Sequence, residues 1–276
     1  LHVHHLVGLG RDAATRLGEL ARSAEFTVDF TVHDYAAICP RVNLVDASGV
    51  YCGEPSIEAC ERCLARGGAT IEATSVEAHR RAYGEMLVTM RRVSAPDDDV
   101  RLRLGRYFPN VDVRVLPHAE AGLETQPRIG RSPGEPLRVV VLGAVHPHKG
   151  LEVLIASAEE ARRRRLPLAF TVIGYTTDDR RARAAGIEIT GPYATAEEAL
   201  ARIAAARAHV ALFPAVWPET YSYTLSIALA AELHVVAFDL GAIASRLRAL
   251  GGGTLLPVGA MSDPAYVTRA LAELAG

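Results

Sequence analysis

What this chain lacks closes several classes of function at once. No apolar run approaches the roughly 18–20 residues that cross a bilayer. The start carries no charged segment followed by an apolar core of the exported type. A soluble, cytoplasmic protein with no transmembrane segment is therefore expected. Concentrated positive charge is also missing. Thirty basic residues against thirty-two acidic ones give a net charge of −2, and the one basic run, Arg162 to Arg165, falls at the end of a helical pattern, where cations complement the helix dipole. Nucleic acid and anionic membrane surfaces are poor partners for such a chain. Lysine is nearly absent. Twenty-nine of the basic residues are Arg and one is Lys149, so the lone ammonium stands where arginine has otherwise been used throughout.

What is present is ordinary globular material. Hydrophobic residues make up 49% and charged residues 22%, which excludes disordered, collagenous and fibrous classes. The 276 residues exceed a typical domain of roughly 100–200, which favours two domains or one large α/β unit. The chain opens on Leu1 in what reads as mid-strand, without an initiator Met, and is expected to be part of a longer polypeptide.

Residues 117–136 hold four of the fifteen prolines and almost no large apolar side chains. They read as a linker between an N-terminal domain, 1–116, and a C-terminal domain, 137–276. Beyond the linker, apolar runs of strand length at 137–144, 168–174, 187–191, 209–214, 234–240 and 254–257 alternate with helical patterns. Helices are read at 150–165, at 195–207 with Thr195 as cap, from about Ser222 and from Ile243. Strands apolar on both faces and alternating with helices indicate a parallel sheet covered on both sides, a Rossmann-like α/β domain. Ligands of such sheets bind beyond the carboxyl ends of the strands. The first 116 residues also read as α/β, with strands at 1–6, 26–33, 90–95 and 111–116 and helices at 12–23 and 75–87. Asp97, Asp98 and Asp99 fit a helix N-terminus better than a metal cluster.

Two loops on the strand-end rim carry candidate chemistry. In the first, Gly143-Ala144-Val145-His146-Pro147-His148-Lys149-Gly150 opens a helix. Backbone N–H groups and the helix dipole favour an anion there, and a lysine adds a mobile charge suited to a diphosphate; the plain alternative is a surface lysine near a helix start. In the second, Trp217-Pro218-Glu219-Thr220-Tyr221-Ser222-Tyr223-Thr224-Leu225-Ser226 leads into a helix and can present a carboxylate to sugar hydroxyls and amides to phosphate; alternatively Ser222 or Thr224 is only a cap and the tyrosines are packing.

The segment 219–237 (ETYSYTLSIALAAELHVVA) resembles the donor site of the family 4, or group 1, retaining glycosyltransferases of the GT-B fold. With it go the turn around Lys149-Gly150, the strand ends at Gly174 and Gly191, and Asp239-Leu240-Gly241-Ala242. His33-Asp34-Tyr35 and Ala95-Pro96-Asp97 extend the likeness upstream. The resemblance implies two Rossmann-like domains, the N-terminal one abbreviated here, with a nucleotide-sugar donor in the second domain and a glycan or glycolipid acceptor towards the first. It implies catalytic roles for Lys149 on the departing diphosphate, Glu219 on donor hydroxyls and His33 from the other domain. It also implies a donor-binding set of Gly143, His148, Gly174, Tyr193, Tyr221, Ser222, Tyr223, Thr224 and Ser226, and no catalytic metal. Departures are specific. The family's second Glu, eight residues after the first, is Ile227; its basic residue five before the lysine is Ala144; Glu232 and His234 replace a preferred Gly and Pro. These replacements motivate the alternative, a catalytically inactive glycosyltransferase-like module that binds a sugar or a partner. A nucleotide-sugar epimerase lacks a recognisable carboxylate set.

The four cysteines follow C-x12-C-x7-C-x2-C at Cys39, Cys52, Cys60 and Cys63. Four thiolates with a terminal CxxC can enclose a structural zinc in an irregular loop. Two disulfides, four reduced thiols or an iron–sulfur cluster are the other outcomes. His2, His4 and His5 read as strand residues, with alternation sending His2 and His4 to one face.

Overall fold

The computed structural model describes residues 1–120 and 122–275. The expected linker includes Ala121 and the expected second domain ends at Gly276, and both of these residues lie outside the described set. The chain divides into two compact units: Leu1–Ala119 with Trp217–Tyr221, and Glu120–Val216 with Ser222–Gly276.

The first unit is built on four parallel strands, β1 (His2–Val3), β2 (Asp29–Thr31), β3 (Arg92–Ala95) and β4 (Val113–Val115), in the spatial order β1-β2-β3-β4. Helix α1 (Ala13–Ser23) follows β1; α2 (Ile57–Ala65) and α3 (Val76–Leu87) lie between β2 and β3; α4 (Asp98–Tyr107) leads to β4. All four strands fall within the segments expected from sequence. Each is shorter, because only the central residues keep the ladder. Asp97 caps α4, its carboxylate accepting from the Asp99 amide at 2.8 Å, as the acidic run suggested. The cysteine-bearing excursion between β2 and α3 is not wholly irregular, since Cys60 and Cys63 lie on α2. That helix buries none of its residues fully; its apolar face, Ile57, Cys60 and Leu64, is half-buried and was hidden from the sequence reading by the Pro, Gly and Cys residues leading into it.

The second unit carries six parallel strands: β5 (Leu137–Val145), β6 (Leu168–Thr176), β7 (Glu188–Ile189), β8 (Val210–Phe213), β9 (His234–Phe238) and β10 (Thr254–Leu256). Their spatial order is β10-β9-β8-β5-β6-β7. Counted within the unit this is 6-5-4-1-2-3, the doubly wound Rossmann order. Val139, Val140 and Val141 are all buried, which requires cover on both faces. On one face Val140 and Leu142 join a core with residues of α7 (Ala196–Ala205), α8 (Tyr223–Ala230) and α9 (Gly241–Leu250). By strand alternation Val139 and Val141 point the other way. Helix α5 (Leu151–Arg164) follows β5 and packs against α10 (Pro264–Glu273); α6 (Asp179–Ala184) completes the unit. Thr195 caps α7, accepting from the Glu198 amide at 3.2 Å, as expected. Among the described residues no helix is long and apolar enough to cross a membrane.

Candidate functional site

In a doubly wound sheet the order reverses between its first and fourth strands, and the loops leaving those strands diverge to leave a crevice. Here the strands are β5 and β8, and both candidate loops follow them. The β5 end is shaped by close backbone approach. Gly143 and Gly174 are register partners on β5 and β6. A Cβ on Gly174 would overlap the Gly143 carbonyl oxygen and lie 3.1 Å from Gly143 Cα. Gly143 itself has φ +93°, and a Cβ there would sit 3.2 Å from Thr224 Cγ2 and 3.8 Å from Tyr193 Oη. Four residues of the expected donor set, Gly143, Gly174, Tyr193 and Thr224, are thus brought together. The Gly174 amide is held by Thr190 Oγ1 at 3.2 Å, and burial pushes the Tyr193 phenol up, keeping it a neutral hydroxyl.

Lys149 ends a single 3₁₀ turn, Pro147–Lys149, and Gly150 follows at φ +87° as the cap of α5. A Cβ on Gly150 would overlap the carbonyl of Pro214 in the loop after β8 and lie 2.9 Å from Pro214 Cβ. The Val216 amide donates to the His148 carbonyl at 3.0 Å. The two loops are therefore fastened backbone to backbone. Burial, with Lys149 and His146 nearby, pushes the His148 imidazole down to about 4, so that ring is neutral at pH 7.

Ser222 precedes α8 without making a capping bond. Its hydroxyl is 3.1 Å from Thr224 Oγ1. Arg246, on α9, donates to the Ser222 carbonyl at 2.8 Å and to Ser226 Oγ at 2.7 Å, and lies 3.6 Å from Glu120 Oε1. Sequence reasoning missed Arg246. No pattern around it marks a site, and the only hint was the departure at Ile227 on the helix it supports. Ile227 is 6% exposed within the core cluster, so that register position packs inward and is filled by an apolar side chain. Ser226, its neighbour, is engaged by Arg246. Tyr223 is exposed.

Glu219 and Tyr221 fall in the segment Trp217–Tyr221, which belongs to the first unit. Glu219 is 3% exposed, Thr220 Oγ1 donates to the His33 carbonyl at 2.7 Å, and Trp217 meets Tyr35 edge-on at 6.3 Å between centroids. Tyr221 meets His118 edge-on at 4.8 Å, and His118 stacks on His33 at 4.9 Å. The row continues: His4 Nδ1 is 2.8 Å from His33 Nε2, and His2 stacks on His4 at 4.4 Å. Alternation placed His2 and His4 together correctly; it could not show that they join His33 and His118. Burial, then the flanking imidazoles, push His33 down to about 4, so it is a neutral hydrogen-bonding ring.

Cys39, Cys52, Cys60 and Cys63 are free thiols lining one cavity of about 30 Å³. Among the described residues no three His, Cys, Asp or Glu side chains stand in metal-holding geometry, so the zinc expected there has no support from ligand geometry.

Solved structures of similar fold include the pneumococcal O-GlcNAc transferase in complex with UDP and GlcNAc, at 14% identity and a TM-score of 0.56, covering 94% of this chain and 46% of that one. Sucrose-phosphate synthase from Thermosynechococcus elongatus matches at 15% identity and a TM-score of 0.60, covering 99% and 68%. The UDP-forming α,α-trehalose-phosphate synthase from Burkholderia vietnamiensis matches at 15% identity and a TM-score of 0.61, covering 99% and 65%. This chain thus spans about half the length of the pneumococcal enzyme and about two thirds of the others. At these identities the likeness is one of fold, the two-domain α/β arrangement called GT-B. Among curated proteins no sequence match is found. A sequence model of the family described as glycosyl transferases group 1 matches residues 136–275, just over half of the chain, and the chain belongs to that family.

Proposed function

We propose that this protein is a retaining glycosyltransferase that moves a sugar from a nucleotide-diphosphate donor to a hydroxyl of a glycan or glycolipid acceptor. The observation that carries the reading is the convergence at the β5/β8 strand ends: the Lys149 turn and the chain leading to α8 are fastened at Gly150 and Pro214, and Gly143 at the end of β5 lies against Thr224 of α8 and Tyr193 of the loop after β7. Transfer breaks the bond between the anomeric carbon and the diphosphate oxygen, and charge accumulates on the departing diphosphate. Lys149 and the first-turn amides of α8 stabilise that charge without a metal, as preorganised donors do. Glu219 holds hydroxyls of the donor sugar. His33, neutral at pH 7, offers a hydrogen bond rather than a charge. The acceptor hydroxyl attacks on the face that the diphosphate leaves, its proton passing to the departing phosphate oxygen, and the configuration is retained. The UDP bound to the pneumococcal relative makes UDP-sugars the first donors to try, with GDP-sugars beside them.

Calorimetric titration tests the reading. Binding of one nucleotide-sugar is expected, with Lys149→Ala weakening it about 10- to 100-fold, since a hydrogen bond to a charged group contributes about 1.5–3 kcal/mol. Glu219→Ala should weaken the nucleotide-sugar while leaving the bare nucleotide diphosphate nearly unchanged. Absence of binding by the parent chain to any UDP- or GDP-sugar overturns the proposal.

A further inference from the structure

The excursion between β2 and α3 carries chemistry that sugar transfer does not use. It departs at once from His33. The Cys39 amide bonds to the Tyr35 carbonyl at 2.9 Å, and the Tyr35 amide to the Val42 carbonyl at 3.0 Å, folding the strand end back on itself. From there the chain runs through three non-glycine residues in the left-handed region, Val42, Leu44 and Glu54, at φ 69°, 55° and 53°. Among the described residues half of all such positions therefore fall within thirteen residues, and strain of this kind persists only where surroundings impose it. The chain then forms α2, which buries no residue. A nine-residue helix is too short to hold itself in water, and its apolar face, Ile57, Cys60 and Leu64, is only half-buried. Arg41 tethers the far end, donating to the carbonyls of Gly67 and, at 3.4 Å, of Cys63.

What the pieces share is their cysteines. Cys39 comes from the strand-end turn, Cys52 from the strained loop and Cys60 with Cys63 from one face of α2 at i, i+3 spacing. All four line the same small cavity, and none is spent in a disulfide. Arg80 places its guanidinium 3.5 Å from Cys60 Sγ, and the Arg41 amide is 3.5 Å from Cys39 Sγ. These are donors of the sort that stabilise thiolate sulfur. Four soft ligands drawn from three separate pieces of backbone, with no oxygen or imidazole donor needed to complete the set, supply the donor chemistry of the closed Cys₄ sites that take zinc, although among the described residues no three of them stand at ligand distance.

We propose that Cys39, Cys52, Cys60 and Cys63 together bind one zinc ion, which draws the four sulfurs inward to ligand distance and pins α2 and the strained loop behind the His33 strand end. The bonds formed are four zinc–thiolate bonds, and the thiol protons are released to water. The ion is structural, with all four positions filled by protein, so it takes no part in sugar transfer.

The test is metal analysis of the purified, reduced chain. One zinc per chain is expected, with the four thiols protected from Ellman's reagent until the metal is stripped by a mercurial and a chelator. Refolding with Co²⁺ in place of Zn²⁺ should give strong thiolate-to-cobalt charge-transfer absorption and the visible bands of a tetrahedral site. Cys60→Ser should lower the zinc content and expose the excursion to protease. If that variant fails to fold, the stoichiometry and thiol titration of the parent chain decide alone. Fewer than about 0.1 zinc per chain with four freely titrating thiols overturns the proposal, as do two disulfides in the mass spectrum or iron and sulfide at the site. Nucleotide-sugar binding does not enter this measurement, so the two proposals fail separately.

Discussion

The contact between Gly150 and Pro214 makes the sharpest demand on the sequence of the second unit. A methyl group at position 150 would overlap a backbone carbonyl and sit 2.9 Å from Pro214 Cβ, and neither neighbour is the free end of a flexible side chain. The backbone there is also at φ +87°. Gly150→Ala therefore meets two costs, about 1–2 kcal/mol for the left-handed conformation and about 1–3 kcal/mol for overpacking against atoms that cannot yield. Together they make about 2–5 kcal/mol. Gly186 separates the two, because its φ is +89° and nothing lies within 4 Å of the position a Cβ would take. Gly186→Ala should show the conformational cost alone. Thermal unfolding followed by far-UV circular dichroism is the assay. For a unit of this size 1 kcal/mol corresponds to roughly 3–5 °C, so Gly186→Ala should fall by about 3–10 °C and Gly150→Ala by about 6–25 °C, with nucleotide-sugar binding lost in the second and kept in the first. A Gly150→Ala variant that melts within 2 °C of Gly186→Ala and binds donor with parental affinity refutes the idea that this contact fastens the loops.

Two further outcomes follow from single side chains. Removing Arg246 (Arg246→Ala) takes away two charge-assisted bonds to the start of α8 and should weaken donor binding about tenfold, with Arg246→Lys restoring little because one ammonium cannot span both acceptors; unchanged binding in a calorimetric titration would make Arg246 a purely local brace. The His148 ring, held near 4 when folded against 6.5 ordinarily, takes up its proton more readily in the unfolded chain. Its contribution to stability is therefore complete above about pH 6.5, declines as the pH falls and is gone below about 4. The gap in urea midpoint between the parent and His148→Asn should narrow between pH 7.5 and pH 5, and a gap that widens contradicts the assignment.

Strands of the second unit were readable because burial on both faces forces continuous apolar runs, and a run such as residues 137–144 admits few other readings. The loops of the site were readable for a related reason: once β5 and β8 are placed, whatever follows them stands on the ligand rim. Elements that took part in no such pattern were invisible. Helix α2 is short and follows a Pro-, Gly- and Cys-bearing stretch that reads as an irregular loop, so its apolar spacing at Ile57, Cys60 and Leu64 was passed over. Helix α10 was overlooked although Asp263, accepting from the Tyr266 amide at 2.9 Å, and Pro264 at its first turn are strong starting signals. Long-range side-chain meetings were beyond reach altogether. Arg246 crosses twenty positions to reach Ser226, and the row His2, His4, His33, His118 depends on which strands are neighbours.

Lys149 can now be explained by its backbone rather than by its rarity. The reversal of strand order sends the loops after β5 and β8 to opposite sides, which would leave two independent flexible segments. Here they are joined twice, by Gly150 lying flat against Pro214 and by the Val216 amide on the His148 carbonyl. Residues 148–150 and 214–216 therefore behave as one piece of main chain, and the side chain at 149 is carried on it. In the proposed role, a charge that meets a diphosphate gains more from a fixed base than from a long reach, because geometry set before binding is not paid for again when the ligand arrives. On such a base a compact ammonium suffices to place one charge.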